Sequence, residues 1–290
     1  MPSRENPTIF YVLMFIAMIG WGAAWVHVKY LSDHMSVNEI IFYRYLLTTV
    51  SMVPILVWLK RSFRIDRRTV GITLFAAGLL TLYTWLFIEG TRLGTAGLGG
   101  AFVTTLIPII TFGLSAILGR RTMRRRDAFA LALGAVGVMT ILGVWHFSAG
   151  QVFRLKNLYF VLAAILWAVL TIVASKATRI APLVYSFYLY LFTTLIEGLF
   201  VADLNTDMLH LGGWAWFNLL SVAFFSTTFA TSIYFVGGQK IGADKISSFT
   251  FLVPFSAIGL SALFLGEAVT VGMLIGTTMA VVAIYLLNRR

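Results

Sequence analysis

The residues best equipped for chemistry are aromatic and hydroxylic. Trp21, Trp25, Tyr83, Trp85, Trp167 and Tyr234 fall in the middle of long apolar stretches. There an indole N–H or a phenol O–H needs an internal partner or a hydrated cavity. Their ring faces suit an apolar or aromatic molecule, or a cation held over a ring. Ser226, Thr227, Thr228, Thr231, Ser232, Ser247, Ser248 and Thr250 add neutral hydroxyls in two adjoining stretches. Those hydroxyls can bind a ligand, or they can bond back to the carbonyls of their own helices. This is recognition chemistry, not bond-making chemistry. The charged candidates are Arg44, Glu89 and Glu197, each in the outer third of an apolar stretch. Glu89 reads as a proton-coupling residue and Arg44 as an outer gate. The competing reading is an ion pair of Arg44 with Glu39 or Glu89, or snorkelling to the interface.

The chain lacks a G-x-x-x-x-G-K-[ST] loop, an H-E-x-x-H pair and any cysteine. P-loop hydrolysis, a zinc site and thiolate chemistry are therefore not expected, and neither a cofactor nor a metal is called for. The four histidines support no Ser-His-Asp arrangement, so an intramembrane enzyme is the minor reading from another class.

Two prolines organise the elements that must hold these groups. Pro108 and Pro254 each open a P-x-x-x-x-G-L-S-A segment, 146 residues apart. The motif Y-x-Y-L-x-T-T at Tyr43–Thr49 recurs at Tyr188–Thr194, and Trp21 is matched by Trp167 at the same offset of 146. Echoes in one order at nearly one spacing divide the chain into two repeats, 1–145 and 146–290. A proline inside a helix removes a donor and frees the carbonyl four residues earlier. Thr104 and Thr250 hold those positions, so the prolines predict a symmetric pair of bent helices lining a path, or kinks satisfied by neighbouring hydroxyls.

Composition says where these elements lie. Hydrophobic residues make up 59% of the 290 residues and charged residues 11%. A soluble domain carries about 25% charged residues, so this surface is built for lipid. Apolar runs of membrane-spanning length predict an all-α polytopic protein of ten transmembrane helices, five in each repeat. The net charge of +11 is a topology signal and not a nucleic-acid footprint. Lys60, Arg61, Arg64, Arg67 and Arg68 crowd the second loop, and Arg120, Arg121, Arg124, Arg125 and Arg126 the fourth. Such crowding predicts both termini in the cytoplasm. With five helices per repeat, equivalent helices cross in opposite directions, the inverted plan common among secondary transporters. The G-x-x-x-G of Gly272 and Gly276 suits close helix packing; it serves a monomer and leaves a dimer open.

The segment Gly242–Glu267, with Pro254 in mid-helix and the ending Leu265-Gly266-Glu267, and the Gly20-Trp21-Gly22 of the first helix, resemble the EamA-type branch of the drug/metabolite transporter superfamily. The first repeat departs from that ending, because Arg120 follows Leu118-Gly119. Within the branch, the chain is most similar to the YddG group of aromatic amino-acid exporters. The resemblance implies a central cavity between helices one, three, four, six, eight and nine. It favours Trp21, Tyr83, Thr104, Trp167, Tyr234 and Ser248 as substrate-binding residues and sets Arg44 and Glu197 aside.

The resulting expectation is a secondary transporter of the bacterial inner membrane. It exports aromatic or other apolar amino acids by alternating access, with Pro108 and Pro254 as bends and Glu89 as the coupling residue. The expected partners are a small-molecule substrate and the bilayer. A drug or aromatic-cation exporter and an importer of another metabolite are the alternatives. A pocket for sugar phosphates is not expected, because mid-depth Lys and Arg are missing from the sequence reading.

Overall fold

The computed structural model describes residues 7–118, 124–141, 143, 155–177, 179–201 and 210–288. Arg120, Arg121 and the expected repeat boundary at 145/146 lie outside the described residues. Among the described residues all regular structure is helical. The elements are α1 (Pro7–Leu31), α2 (Val37–Trp58), α3 (Arg67–Leu93), α4 (Ala96–Ile117), α5 (Arg125–Ile141), α6 (Leu155–Ser175), α7 (Pro182–Leu199), α8 (Gly213–Ile241), α9 (Ala243–Leu265) and α10 (Val271–Asn288). Eight of these, α1 to α4 and α6 to α9, are long and apolar enough to cross a membrane. Helix α5 has 17 residues, and the apolar run in α10 is also short. The expectation of ten spans therefore meets eight helices of full spanning length among the described residues.

Local chemistry starts and stops the helices. Ser36 caps α2: its hydroxyl accepts from the Glu39 backbone N–H at 3.2 Å, and the Glu39 carboxylate accepts from the Ser36 N–H at 2.9 Å. This reciprocal pair satisfies two otherwise orphaned donors and gives Glu39 a structural role. Asp66 caps α3 by accepting from the Thr69 N–H. Gly266 ends α9 in the left-handed region, at φ 66°, where a residue without Cβ pays no steric penalty.

Two helices are interrupted by non-α turns. Ser221–Thr231 of α8 is π-helical and Ser248–Leu252 of α9 is 3-10. The hydroxyls of Thr227, Thr228 and Thr231 each bond a carbonyl five residues back, at 2.8, 3.0 and 3.0 Å, matching the wider π turn.

Packing pairs the two halves of the chain. Helices α2 and α7, α4 and α9, and α5 and α10 lie against each other; α1 packs on α8 and α9, and α6 on α3 and α4. Outside this core, Phe15, Val57, Phe75, Leu263, Phe264 and Leu274 are exposed, as a lipid-facing surface requires.

The G-x-x-x-G of α10 is used within the chain. A Cβ on Gly276 would overlap the Gly137 carbonyl of α5, and one on Gly137 would lie 2.7 Å from the Gly276 carbonyl. Backbone on both sides cannot give way, so Gly276→Val should destabilise the fold by at least ~1–3 kcal/mol. A thermal unfolding midpoint unchanged from wild type in detergent would contradict this packing.

Candidate functional site

A narrow cavity of about 30 Å³ lies among α1, α2, α3, α4, α6 and α8. Its walls are Trp21, Ala24 and Trp25 of α1, Arg44 and Tyr45 of α2, and Tyr83 and Phe87 of α3. Thr104 and Ile107 of α4, Trp167 of α6, and Ser226 and Thr231 of α8 complete it. That volume suits one water, whereas small-molecule sites occupy ~300–1,000 Å³. Rings close it. Trp21 meets Trp167 edge to face with centroids 5.1 Å apart, and Tyr83 meets Trp167 at 4.5 Å. Tyr234 packs behind them, 4.8 Å from Trp21 and 5.8 Å from Trp167, with its hydroxyl 3.0 Å from Thr171. These distances are those of attractive aromatic pairs.

The π turn of α8 serves the cavity. Trp21 Nε1 donates to Thr231 Oγ1 at 3.1 Å, and Arg44 Nε donates to Thr227 Oγ1 at 2.8 Å. Each of these hydroxyls gives its own proton to a carbonyl in the π turn, which leaves its lone pairs for the incoming donor. Back-bonding and side-chain recognition are thus combined in one hydroxyl.

Residues paired by the sequence echoes meet one another across this region. Besides Trp21 with Trp167, Tyr45 stacks on Tyr190 at 5.9 Å, and the hydroxyls of Thr49 and Thr194 lie 3.4 Å apart.

The bends follow the same pattern unequally. Pro108 and Pro254 are both buried inside the fold. The Thr104 carbonyl, freed by Pro108, accepts from Thr250 Oγ1 at 2.8 Å, a proton that Thr250 shares with the Ser247 carbonyl at 2.7 Å. The Thr250 carbonyl, freed by Pro254, is taken by the Val253 N–H of the 3-10 turn. The two freed carbonyls therefore find different partners, one from the opposite half and one from their own helix. Thr250→Val should leave the Thr104 carbonyl unsatisfied and destabilise the fold by about 1–3 kcal/mol. Thr250→Ser should restore most of the loss, as read by thermal unfolding; equal midpoints for all three proteins would remove the bond from the account.

Of the six residues expected to bind substrate, Trp21, Tyr83, Thr104 and Trp167 line the cavity. Tyr234 stands behind the ring wall. Ser248 is not in the lining; its hydroxyl donates to the Asp244 carbonyl at 3.0 Å within its own turn. Helix α9 contributes no lining residue, and α2 contributes two. The outer-third placement of Arg44 missed this: Arg44 reaches the cavity, and Glu89 pairs with Arg92 instead. Arg92 is three residues on, with its Nε at 2.9 Å and Nη2 at 2.5 Å from the Glu89 carboxylate. That pairing is sufficient to explain Glu89 structurally. Glu267, noticed in the sequence without a partner, accepts from the Ala96 and Gly97 N–H groups at 2.7 Å each and so caps α4.

Comparison with known proteins agrees with this architecture. The EamA-like transporter family model matches residues 8–143 and again 154–289. An uncharacterized transporter of Synechocystis sp. is 26% identical, over 99% of this chain and 92% of its own length. The uncharacterized transporter YyaM of Bacillus subtilis is 19% identical, over 94% and 92%. A WAT1-related chloroplastic protein of Arabidopsis thaliana is 25% identical over 75% of this chain and 54% of its own length. A solved structure superimposes with a TM-score of 0.73, covering 98% of each chain at 13% identity, a likeness of fold. Through the two family matches, which together span nearly its whole length, this multi-pass membrane protein belongs to the EamA-like transporter family.

Proposed function

We propose that the chain is a secondary transporter that moves amino acids, aromatic or otherwise apolar, out of the cytoplasm by alternating access around the Trp21–Trp167 cavity. The observation that carries this reading is the cavity itself: rings from both halves close over a space at the junction of six helices. Alternating access needs a site that each half can expose in turn. A cavity walled by both halves, with the matched rings of Trp21 and Trp167 meeting across it, supplies it.

The reading takes the ten helices as two inverted five-helix repeats with both termini cytoplasmic, in a bacterial inner membrane. The two family matches support the repeats, because 8–143 and 154–289 are offset by 146 residues, like the sequence echoes. So do the contacts between equivalents, because residues on a two-fold axis touch their own counterparts. The basic loops support the orientation. In this reading Trp21, Tyr83, Thr104 and Trp167 contact the substrate, Tyr234 supports the rings, and Pro108 and Pro254 set the bends.

The test is transport by the purified chain in proteoliposomes loaded with labelled phenylalanine, compared with threonine, with and without a proton gradient. Saturable phenylalanine flux that other aromatic amino acids compete away is expected. Flux no greater than in protein-free vesicles would overturn the proposal.

A further inference from the structure

We infer that the cargo of this cavity carries a carboxylate, which binds Arg44 together with Trp167 Nε1 and Ser226 Oγ. The inference rests on the transporter reading and names the residues that hold the carboxylate of its cargo. Three observations carry it. Arg44 is 6% exposed and lines the cavity, and its only side-chain hydrogen bond among the described residues is from Nε to Thr227. No ion pair reaches it among the described residues. Its two terminal nitrogens are thus uncommitted, and the fork geometry of a guanidinium matches a carboxylate. Second, Ser226 Oγ and Trp167 Nε1 are buried and line the same cavity; Ser226 Oγ has no hydrogen-bond partner, and the nearest candidate for Trp167 Nε1, the Tyr234 hydroxyl, falls short of hydrogen-bond geometry. Buried polar groups are ordinarily satisfied, so unmatched ones at a site are a demand for a ligand.

Third, the uncommitted groups are biased to one sign. The hydroxyls of Thr104 and Thr231 already donate to Gly100 and Ser226 carbonyls, and Tyr45 is paired with Thr84. What is left is a guanidinium, an indole N–H and a serine hydroxyl, with the Tyr83 hydroxyl beside them. Among the described residues the cavity lining contains no Asp or Glu. A positive, donor-rich and acceptor-poor enclosure favours an anion and repels a cation. The aromatic walls then receive the apolar body of the same molecule. On this ground a cargo with a carboxylate is preferred over an aromatic cation that lacks one.

Matched ligands test the inference on the wild-type protein. Stabilisation of the detergent-purified chain against heat is titrated with phenylalanine and phenylalanine amide, and with 3-phenylpropionate and its amide. Each acid should half-saturate at a concentration at least ~tenfold below its amide, the scale expected for a desolvated charge-assisted contact. Arg44→Gln should erase that difference in protein that still elutes as a folded species. If Arg44→Gln does not fold, the wild-type pairs alone decide. An acid no better than its amide, including the case in which neither binds, overturns the inference. Equal flux of phenylalanine and its amide through proteoliposomes would also overturn it while leaving the transporter standing. Binding of acids without any flux would remove the transporter reading and leave the anion site.

Discussion

Glu267→Ala should lower the stability of the folded protein by about 2–3 kcal/mol, because each of two charge-assisted hydrogen bonds contributes on the order of 1.5–3 kcal/mol and the site is only half-buried. The first turn of a helix presents N–H groups with no intrahelical partner, and a carboxylate there also meets the positive end of the helix dipole. Both Glu267 oxygens are engaged, at 2.7 Å each, with the Ala96 and Gly97 N–H groups of α4. Gly97 is part of the reason the contact exists, because a Cβ there would overlap Ser261 and lie 3.2 Å from Glu267 Oε2. The residue that follows α9 therefore holds the start of α4, and the tie runs between the two halves. Glu267→Gln retains one acceptor and should lose roughly half as much. Thermal unfolding of the three proteins side by side measures this. Identical midpoints would mean that the α4 N-terminus is held by something else.

Trp167→Ala should reduce transport by at least ~tenfold per folded molecule. Trp167 touches Trp21, Tyr83, Tyr234 and Phe235 with ring centroids between 4.5 and 5.9 Å, and it closes the cavity. Truncating a buried aromatic side chain also costs about 3–5 kcal/mol of stability in well-packed cores. Flux must therefore be normalised to protein that elutes as a monodisperse peak. Trp167→Phe separates the two roles of the ring. It retains an aromatic wall and loses the indole N–H, so it should keep stability near wild type and weaken cargo binding. If Trp167→Ala protein that is folded moves cargo at the wild-type rate, the ring wall is packing alone.

Much of this arrangement was legible in the residues. Trp21 and Trp167 announced each other by their spacing and meet in the structure. Pro108 and Pro254 announced freed carbonyls, and the hydroxyl that answers the first is Thr250, the counterpart of Thr104. What the sequence could not convey is which side chains cross between helices. Periodicity places a residue on its own helix and says nothing of which neighbour it meets. Arg44 stands in the outer third of α2 by position, yet its long side chain reaches the cavity and Thr227. The Arg44–Thr227 bond spans 183 residues of chain, and it depends on a π turn that no hydropathy pattern reveals. Ser248 failed for the complementary reason. Its helix, α9, contributes nothing to the cavity lining, and a local bond to the Asp244 carbonyl engages its hydroxyl. Glu89 illustrates the shortest-range competitor, an Arg three residues on.

The central claim, a cavity exposed alternately to the two sides, is tested most directly by site-specific labelling. The chain has no cysteine, so Ala24→Cys places a unique thiol on the cavity wall at a residue that is 4% exposed and has no polar role. The protein is reconstituted in vesicles, and a membrane-impermeant maleimide is added to one face at a time. The account predicts slow modification from either face, slowed further by phenylalanine. Modification confined to one face, or absent from both in folded protein, would contradict it.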